Sequence, residues 1–219
     1  VYVRHLSSGV WSRPEPLAES GGDHFRTAIA EDGAGRIRVV WSARAGGNFD
    51  LWERAFDGRR WSPAERLTTS ENSDIFHVLA AAPDGKLYLA WQSARSGNFD
   101  IWMRIYDGKQ WGPERQVSNS PGNDWEPSLA VAPNGNVAVV WDTYDAGNYD
   151  VVARILSGGQ LGAVLPIASS GAFETRASAR YDRKGRLWVA YDEGDWNLGK
   201  DYGNGVVESG RGLLVRRQV

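Results

Sequence analysis

The chain has 219 residues, 42 % of them hydrophobic and 24 % charged, with no cysteine and a formal net charge of −2. This composition excludes disulfide staples and thiolate chemistry, and it gives no electrostatic case for binding nucleic acid or an anionic membrane. No run approaches the roughly 20 apolar residues that cross a bilayer as a helix, so membrane insertion is not expected.

Four blocks then follow one another at a spacing of 50 residues. Trp11, Trp61 and Trp111 keep this interval, as do Trp41, Trp91 and Trp141, and Arg4, Arg54, Arg104 and Arg154. The tetrapeptides Gly47-Asn48-Phe49-Asp50, Gly97-Asn98-Phe99-Asp100 and Gly147-Asn148-Tyr149-Asp150 repeat in the same register. A period in this range marks a repeat architecture in which each unit covers the apolar faces of its neighbours. Residues that recur therefore build the unit, and residues that differ between units are the candidates for function.

In chain order, residues 1–18 read as the third and fourth strands of a partial unit. Complete units follow at 24–68, 74–118 and 124–168, and a last one spans 173–219 with an insertion at 192–212. Unit 74–118 illustrates the pattern. The apolar run 75–82 ends at Pro83-Asp84-Gly85, the strand-forming run 86–92 ends at a polar loop, and a third strand, 99–106, ends at Asp107-Gly108. A weaker fourth strand is expected from Trp111 to Val117. Four short strands separated by Asp-Gly, Asn-Gly and Pro signals predict an antiparallel meander. One meander per 50 residues predicts a blade of a β-propeller, so the chain reads as a single all-β propeller of four-stranded antiparallel blades, with about four blades present.

In the third strand, Asp100, Trp102 and Arg104 share one face, and Phe99, Ile101 and Met103 share the other. The repeated aspartate is read as tying down its polar loop or pairing with a neighbouring arginine, because one carboxylate per loop is too few for calcium. The three histidines, His5, His24 and His77, form no metal motif. No metal and no cofactor are expected.

The phrases Phe56-Asp57-Gly58-Arg59-Arg60-Trp61-Ser62-Pro63 and Tyr106-Asp107-Gly108-Lys109-Gln110-Trp111-Gly112-Pro113, with the Gly-Asn-aromatic-Asp loops before them, resemble the bacterial neuraminidase (Asp-box) repeats of sialidase-like propellers. The likeness runs along the whole chain and weakens in the fourth unit, where Leu161 holds the tryptophan position. Of the family box, Gly58 and Trp61, and Gly108 and Trp111, are present, and the aspartate falls one place late. The resemblance implies boxes at the turns between third and fourth strands, away from any ligand face. It also implies where sialidase chemistry would sit, on three arginines, a tyrosine–glutamate couple and an aspartate. Phe25-Arg26-Thr27-Ala28 matches the first two residues of the family's Phe/Tyr-Arg-Ile-Pro motif, and Arg176 holds the equivalent place in the fourth unit. A third arginine and a tyrosine–glutamate couple are not evident, so no catalytic residue is assigned.

Candidate ligand residues are those that break the repeat at the starts of the first strands: His24, Arg26, His77, Asp124, Trp125, Glu126 and Arg176. Trp196, Lys200 and Tyr202 in the insertion join them. Aromatic rings beside carboxylates and arginines suit stacking on sugar faces with hydrogen bonds to hydroxyls. The reading adopted is a non-catalytic, sialidase-like propeller module for ligand or protein binding, placed outside the cell or in the periplasm. The alternatives are a glycan-processing enzyme of the sialidase or propeller-glycosidase class and a lectin with one sugar site per blade. Its partners are a glycan or protein on the loop face, or association through open blade edges or with a further domain of the parent chain. The terminal strands leave the third strand supplied twice if four blades close, so the chain is read as part of a larger propeller.

Overall fold

The structure, a computed structural model, describes residues 1–18 and 22–195. Four two-residue strands come first: β1 (Tyr2–Val3), β2 (Leu6–Ser7), β3 (Val10–Trp11) and β4 (Glu15–Pro16). The first complete blade is β5 (His24–Glu31), β6 (Ile37–Ala45), β7 (Asn48–Phe56) and β8 (Glu65–Arg66). The second is β9 (Asp74–Ala81), β10 (Leu87–Ser93), β11 (Asp100–Tyr106) and β12 (Arg115–Gln116). The third holds β13 (Asp124–Val131), β14 (Val137–Thr143), β15 (Asp150–Ser157), β16 (Gln160–Leu161) and β17 (Leu165–Ala168), and the chain continues into β18 (Phe173–Tyr181) and β19 (Leu187–Gly194). Each complete blade is an antiparallel meander paired in sequence order, except that in the third β17 pairs with β15 beyond the short hairpin strand β16. The architecture is an all-β propeller of four-stranded blades, as the 50-residue period predicts. Among the described residues the ring does not close: β1 pairs with β4, and β19 with β18.

The recurring residues build the blades and join them. Trp41, Trp91 and Trp141 are buried in the apolar layers between successive blades. The Asp-Gly turns are closed by their own aspartates. Asp57 Oδ1 accepts the backbone N–H groups of Arg59 and Arg60, Asp107 Oδ1 those of Lys109 and Gln110, and Gly58 and Gly108 take left-handed φ values of 93° and 99°. A glycine is needed there because a Cβ disfavours that conformation. Two of the repeated arginines are staples. Arg154 donates from Nε to the Gly162 carbonyl of its own blade (2.7 Å) and from Nη1 to the Val117 carbonyl of the preceding one (2.7 Å). Arg104 makes the same bridge to Gly112 and Leu67.

The Gly-Asn-aromatic-Asp loops clamp the entrance to the next blade. Asn48 Nδ2 donates to the carbonyls of Ser70 (2.7 Å) and Asn72 (3.1 Å), Asn98 to those of Ser120 and Gly122, and Asn148 to those of Ser170 and Ala172. The aspartates are tied as expected, Asp50 to Arg66 (2.5 Å) and Asp100 to Gln116 (2.9 Å). The fourth strands are weaker than expected. In the second blade the stretch from Trp111 to Val117 reduces to one bridge, Tyr106 to Trp111, and the pair Arg115–Gln116. Pro113 removes a ladder donor between them.

Candidate functional site

The inner strands β5, β9, β13 and β18 share one backbone irregularity near their starts. Pairing with the second strand slips between Phe25 and Thr27, Ile75 and Val78, Trp125 and Ser128, and Thr175 and Ser178. At each slip one non-glycine residue is left-handed: Arg26 (φ 50°), Phe76 (54°), Glu126 (44°) and Arg176 (54°). Such residues cost on the order of 1–3 kcal/mol each and persist only where their surroundings enforce them. β-Bulges re-aim a side chain and concentrate next to functional sites. The backbone device recurs every 50 residues, whereas the side chain it presents differs in blade after blade apart from the two arginines.

What enforces the strain comes from the preceding blade. Gln92 Oε1 accepts the Glu126 backbone N–H at 3.0 Å, and Asp142 Oδ2 accepts that of Arg176 at 2.9 Å. Their counterpart Ser42 lies 3.3 Å from the Asp74 carbonyl and from His77 Nδ1. These three residues each follow the buried tryptophan of the second strand, so the repeat that builds the core also pins the bulges. Their remaining polar atoms, Gln92 Nε2 and Asp142 Oδ1, have no hydrogen-bond partner among the described residues, and neither does Trp125 Nε1. Buried polar groups are nearly always paired. These three are among twelve buried side-chain atoms without a partner among the described residues, the others being spread over the blades.

The predicted residues divide into two levels. Arg26 and Arg176 are exposed, and His24, Trp125 and Glu126 are half-buried. The Trp125 ring lies 4.5 Å from that of Phe99, and the Arg26 guanidinium 5.2 Å above the Phe76 ring, which itself meets Phe25 edge-on. His77 and Asp124 lie below this face, both buried. His77 Nε2 is 3.2 Å from the Val40 carbonyl, and burial drives its pKa down to about 4, so it is a neutral residue of the blade junction. The reason is local: His77 directly follows the bulge residue Phe76, and the slip turns its side chain inward. Trp196, Lys200 and Tyr202 lie outside the described residues.

The pairing of carboxyl groups across the blade junctions escaped the sequence reading. The Asp124 backbone N–H bonds the Phe99 carbonyl (2.7 Å), which brings Asp124 beside Asp100, and Glu174 to Tyr149 (2.8 Å) does the same for Glu174 and Asp150. Asp50 and Asp74 form the first such pair, neutralised by Arg66 and by Arg95, which reaches Asp74 at 2.6 Å. The second pair has hydroxyl and amide partners instead, and burial pushes Asp124 up to about 6, with Asp100 adding to the shift. Asp142 is pushed further, to about 8, by burial and by the nearby Glu126 carboxylate, against the hydrogen bond from Arg176. Among the described residues no three His, Cys, Asp or Glu side chains converge as a metal site.

The fold defines the chain as a β-propeller, with one bulge near the start of each first strand of a blade. No family model matches the chain, and no curated protein matches it in sequence. Solved structures match its fold. One is a protein of unknown function from Dyadobacter fermentans, with TM-score 0.62 and 14 % identity, covering 87 % of this chain and 64 % of that one. Another is the α-L-arabinanase of Penicillium chrysogenum, solved with arabinobiose, with TM-score 0.61 and 16 % identity over 94 % of this chain and 71 % of that one. A third is the intramolecular trans-sialidase of Ruminococcus gnavus, solved with oseltamivir carboxylate, with TM-score 0.56 and 11 % identity over 89 % and 46 %. The chain thus spans less than two thirds of the first and third of these structures. At such identities the likeness is one of fold.

Proposed function

We propose that this chain is a non-catalytic, sialidase-like propeller module that binds a carbohydrate on the face bearing Arg26, Trp125, Glu126 and Arg176, in an extracytoplasmic setting. The observation that carries the reading is the left-handed residue in every inner strand: a backbone strain kept four times over, presenting Arg, Phe, Glu and Arg in turn. Guanidinium and carboxylate groups hydrogen-bond sugar hydroxyls, and a half-buried indole offers a stacking edge. The arabinanase solved with arabinobiose and the trans-sialidase solved with oseltamivir carboxylate are propellers of the same fold, which makes a glycan the ligand class to test first.

The second reading is a glycan-processing enzyme, and one observation favours it. Asp142, its pKa raised to about 8, lies close enough to Glu126 to feel its charge, and two carboxyl groups, one of them with a raised pKa, are the pairing glycosidases use. Yet Asp142 is only 3 % exposed and holds the Arg176 N–H with one oxygen, which favours a supporting role over proton donation to a substrate. A lectin with one site per blade would repeat its contacts, and the bulge residues do not repeat. Glycan-array binding run beside a fluorogenic glycoside screen separates these readings. Binding without turnover is expected, turnover overturns the non-catalytic assignment, and silence in both overturns the glycan.

A further inference from the structure

The repeat lets the buried carboxyl pairs of successive junctions be compared position by position. At the first junction Asp50 and Asp74 are both fully buried, and two guanidinium groups balance them. Arg66 reaches Asp50 Oδ2 at 2.5 Å, and Arg95 reaches Asp74 Oδ1 at 2.6 Å. The Trp91 indole N–H adds a hydrogen bond to Asp74 Oδ1 at 2.9 Å.

At the second junction Asp100 and Asp124 are as deeply buried, at 1 % and 0 % exposed, yet the basic partners are gone. Gln116 stands in the column of Arg66, and Asp145 in that of Arg95. Gln116 Nε2 donates to Asp100 Oδ2 at 2.9 Å, and Ser120 Oγ to Asp124 at 3.2 Å. These neutral donors leave the charges uncompensated. Asp100 Oδ1 has no partner among the described residues, and neither has the indole N–H of Trp141, whose equivalent on Trp91 serves Asp74. Asp50 Oδ1 and Asp74 Oδ2 are unpaired as well, but those carboxylates are balanced through their other oxygens. A buried carboxylate without a counter-charge is costly, so the second pair calls for a cation from outside the chain.

We propose that Asp100 and Asp124 hold a Ca²⁺ ion at the second junction, which does for this pair what Arg66 and Arg95 do for the first. The Ser118 hydroxyl faces both carboxyl groups, and that of Ser120 lies against Asp124. Two carboxylates and two hydroxyls make a set of hard oxygens, which suits calcium and offers these positions no nitrogen or sulfur for a softer metal. One carboxylate per loop is too few for such an ion, and the junction supplies the second from the start of β13. The third junction is poorer, since Ala168 replaces Ser118 and Asp150 is only half-buried.

The test is urea unfolding of the chelator-treated chain, followed with and without calcium chloride and with magnesium chloride at the same ionic strength. A site with a Kd of about 1 mM or tighter lowers the unfolding equilibrium constant at least about tenfold at about 10 mM calcium. Magnesium, which needs a stricter octahedral shell, should do much less. Asp100→Asn should abolish the calcium response. Gln116→Arg should abolish it too, by restoring the first junction's guanidinium, and without calcium this variant should be at least as stable as the parent. Where Asp100→Asn fails to fold, Gln116→Arg decides. A parent chain indifferent to calcium overturns the proposal, as does equal stabilisation by magnesium, which marks general screening. A calcium response that survives in Gln116→Arg places the ion elsewhere and overturns it also.

Discussion

Replacing Asp142 by Asn removes one buried carboxyl while keeping an oxygen to accept the Arg176 N–H at 2.9 Å. In the folded protein burial holds this carboxyl at a pKa of about 8, against roughly 4 in an unfolded chain. A raised carboxyl pKa means that the folded state keeps a proton which the unfolded state releases. Stability from this group is therefore complete at low pH and falls as pH rises from about 4 to about 8, by up to about 1.4 kcal/mol per pH unit for one proton. His77 opposes it at lower pH. With a folded pKa lowered to about 4 from an ordinary 6.5, its contribution is lost as pH falls through that interval. Asp124, raised to about 6, acts in the same sense as Asp142 but is largely ionised above that value. The interval from pH 6.5 to 7.5 therefore isolates Asp142. Urea unfolding followed by tryptophan fluorescence should show the parent protein losing about 1 kcal/mol across that interval while Asp142→Asn loses much less. Parallel losses in the two proteins would refute the assignment of a protonated Asp142.

Three further substitutions test the junctions and the bulges. Arg95→Ala strands Asp74 beside Asp50 without its cation and should cost about 3–5 kcal/mol in chemical denaturation, and adding Asp74→Asn should recover much of the loss. Asn98→Ala deletes both clamps on the Ser120 and Gly122 carbonyls and should cost about 1–3 kcal/mol, measured the same way. Arg176→Gly relieves a left-handed φ of 54° and should leave the unfolding midpoint unchanged or raise stability by up to about 1 kcal/mol, while Arg176→Val should lower it.

The blade architecture was legible because its causes are local and repeated. Asp107-Gly108 makes its turn with atoms two and three residues away, and Ile101 and Met103 alternate with Trp102 as a strand requires. The role of Asn98 was half legible, since its loop repeats but its acceptors lie 22 and 24 residues on. The bulges were not legible at all. Left-handed backbone is usually announced by glycine or asparagine, and here Arg26, Phe76, Glu126 and Arg176 adopt it, with Gln92 and Asp142 of the preceding blades holding the N–H groups of Glu126 and Arg176 from 34 residues away. The same slip explains why His77, expected on the loop face, is buried at a junction. Asp124 followed it inward because its backbone N–H is drawn to the Phe99 carbonyl.

In the proposed function the repeat builds the blades, and the residues that break it at the bulges bind the ligand. Its most direct test is glycan-array binding by the unmodified chain and by a variant carrying Arg26→Ala, Glu126→Ala and Arg176→Ala together, with unfolding curves measured on both. The parent should bind a defined glycan, and the variant should lose that binding at least tenfold while its unfolding midpoint falls little or not at all. A variant that binds as well as the parent would contradict it.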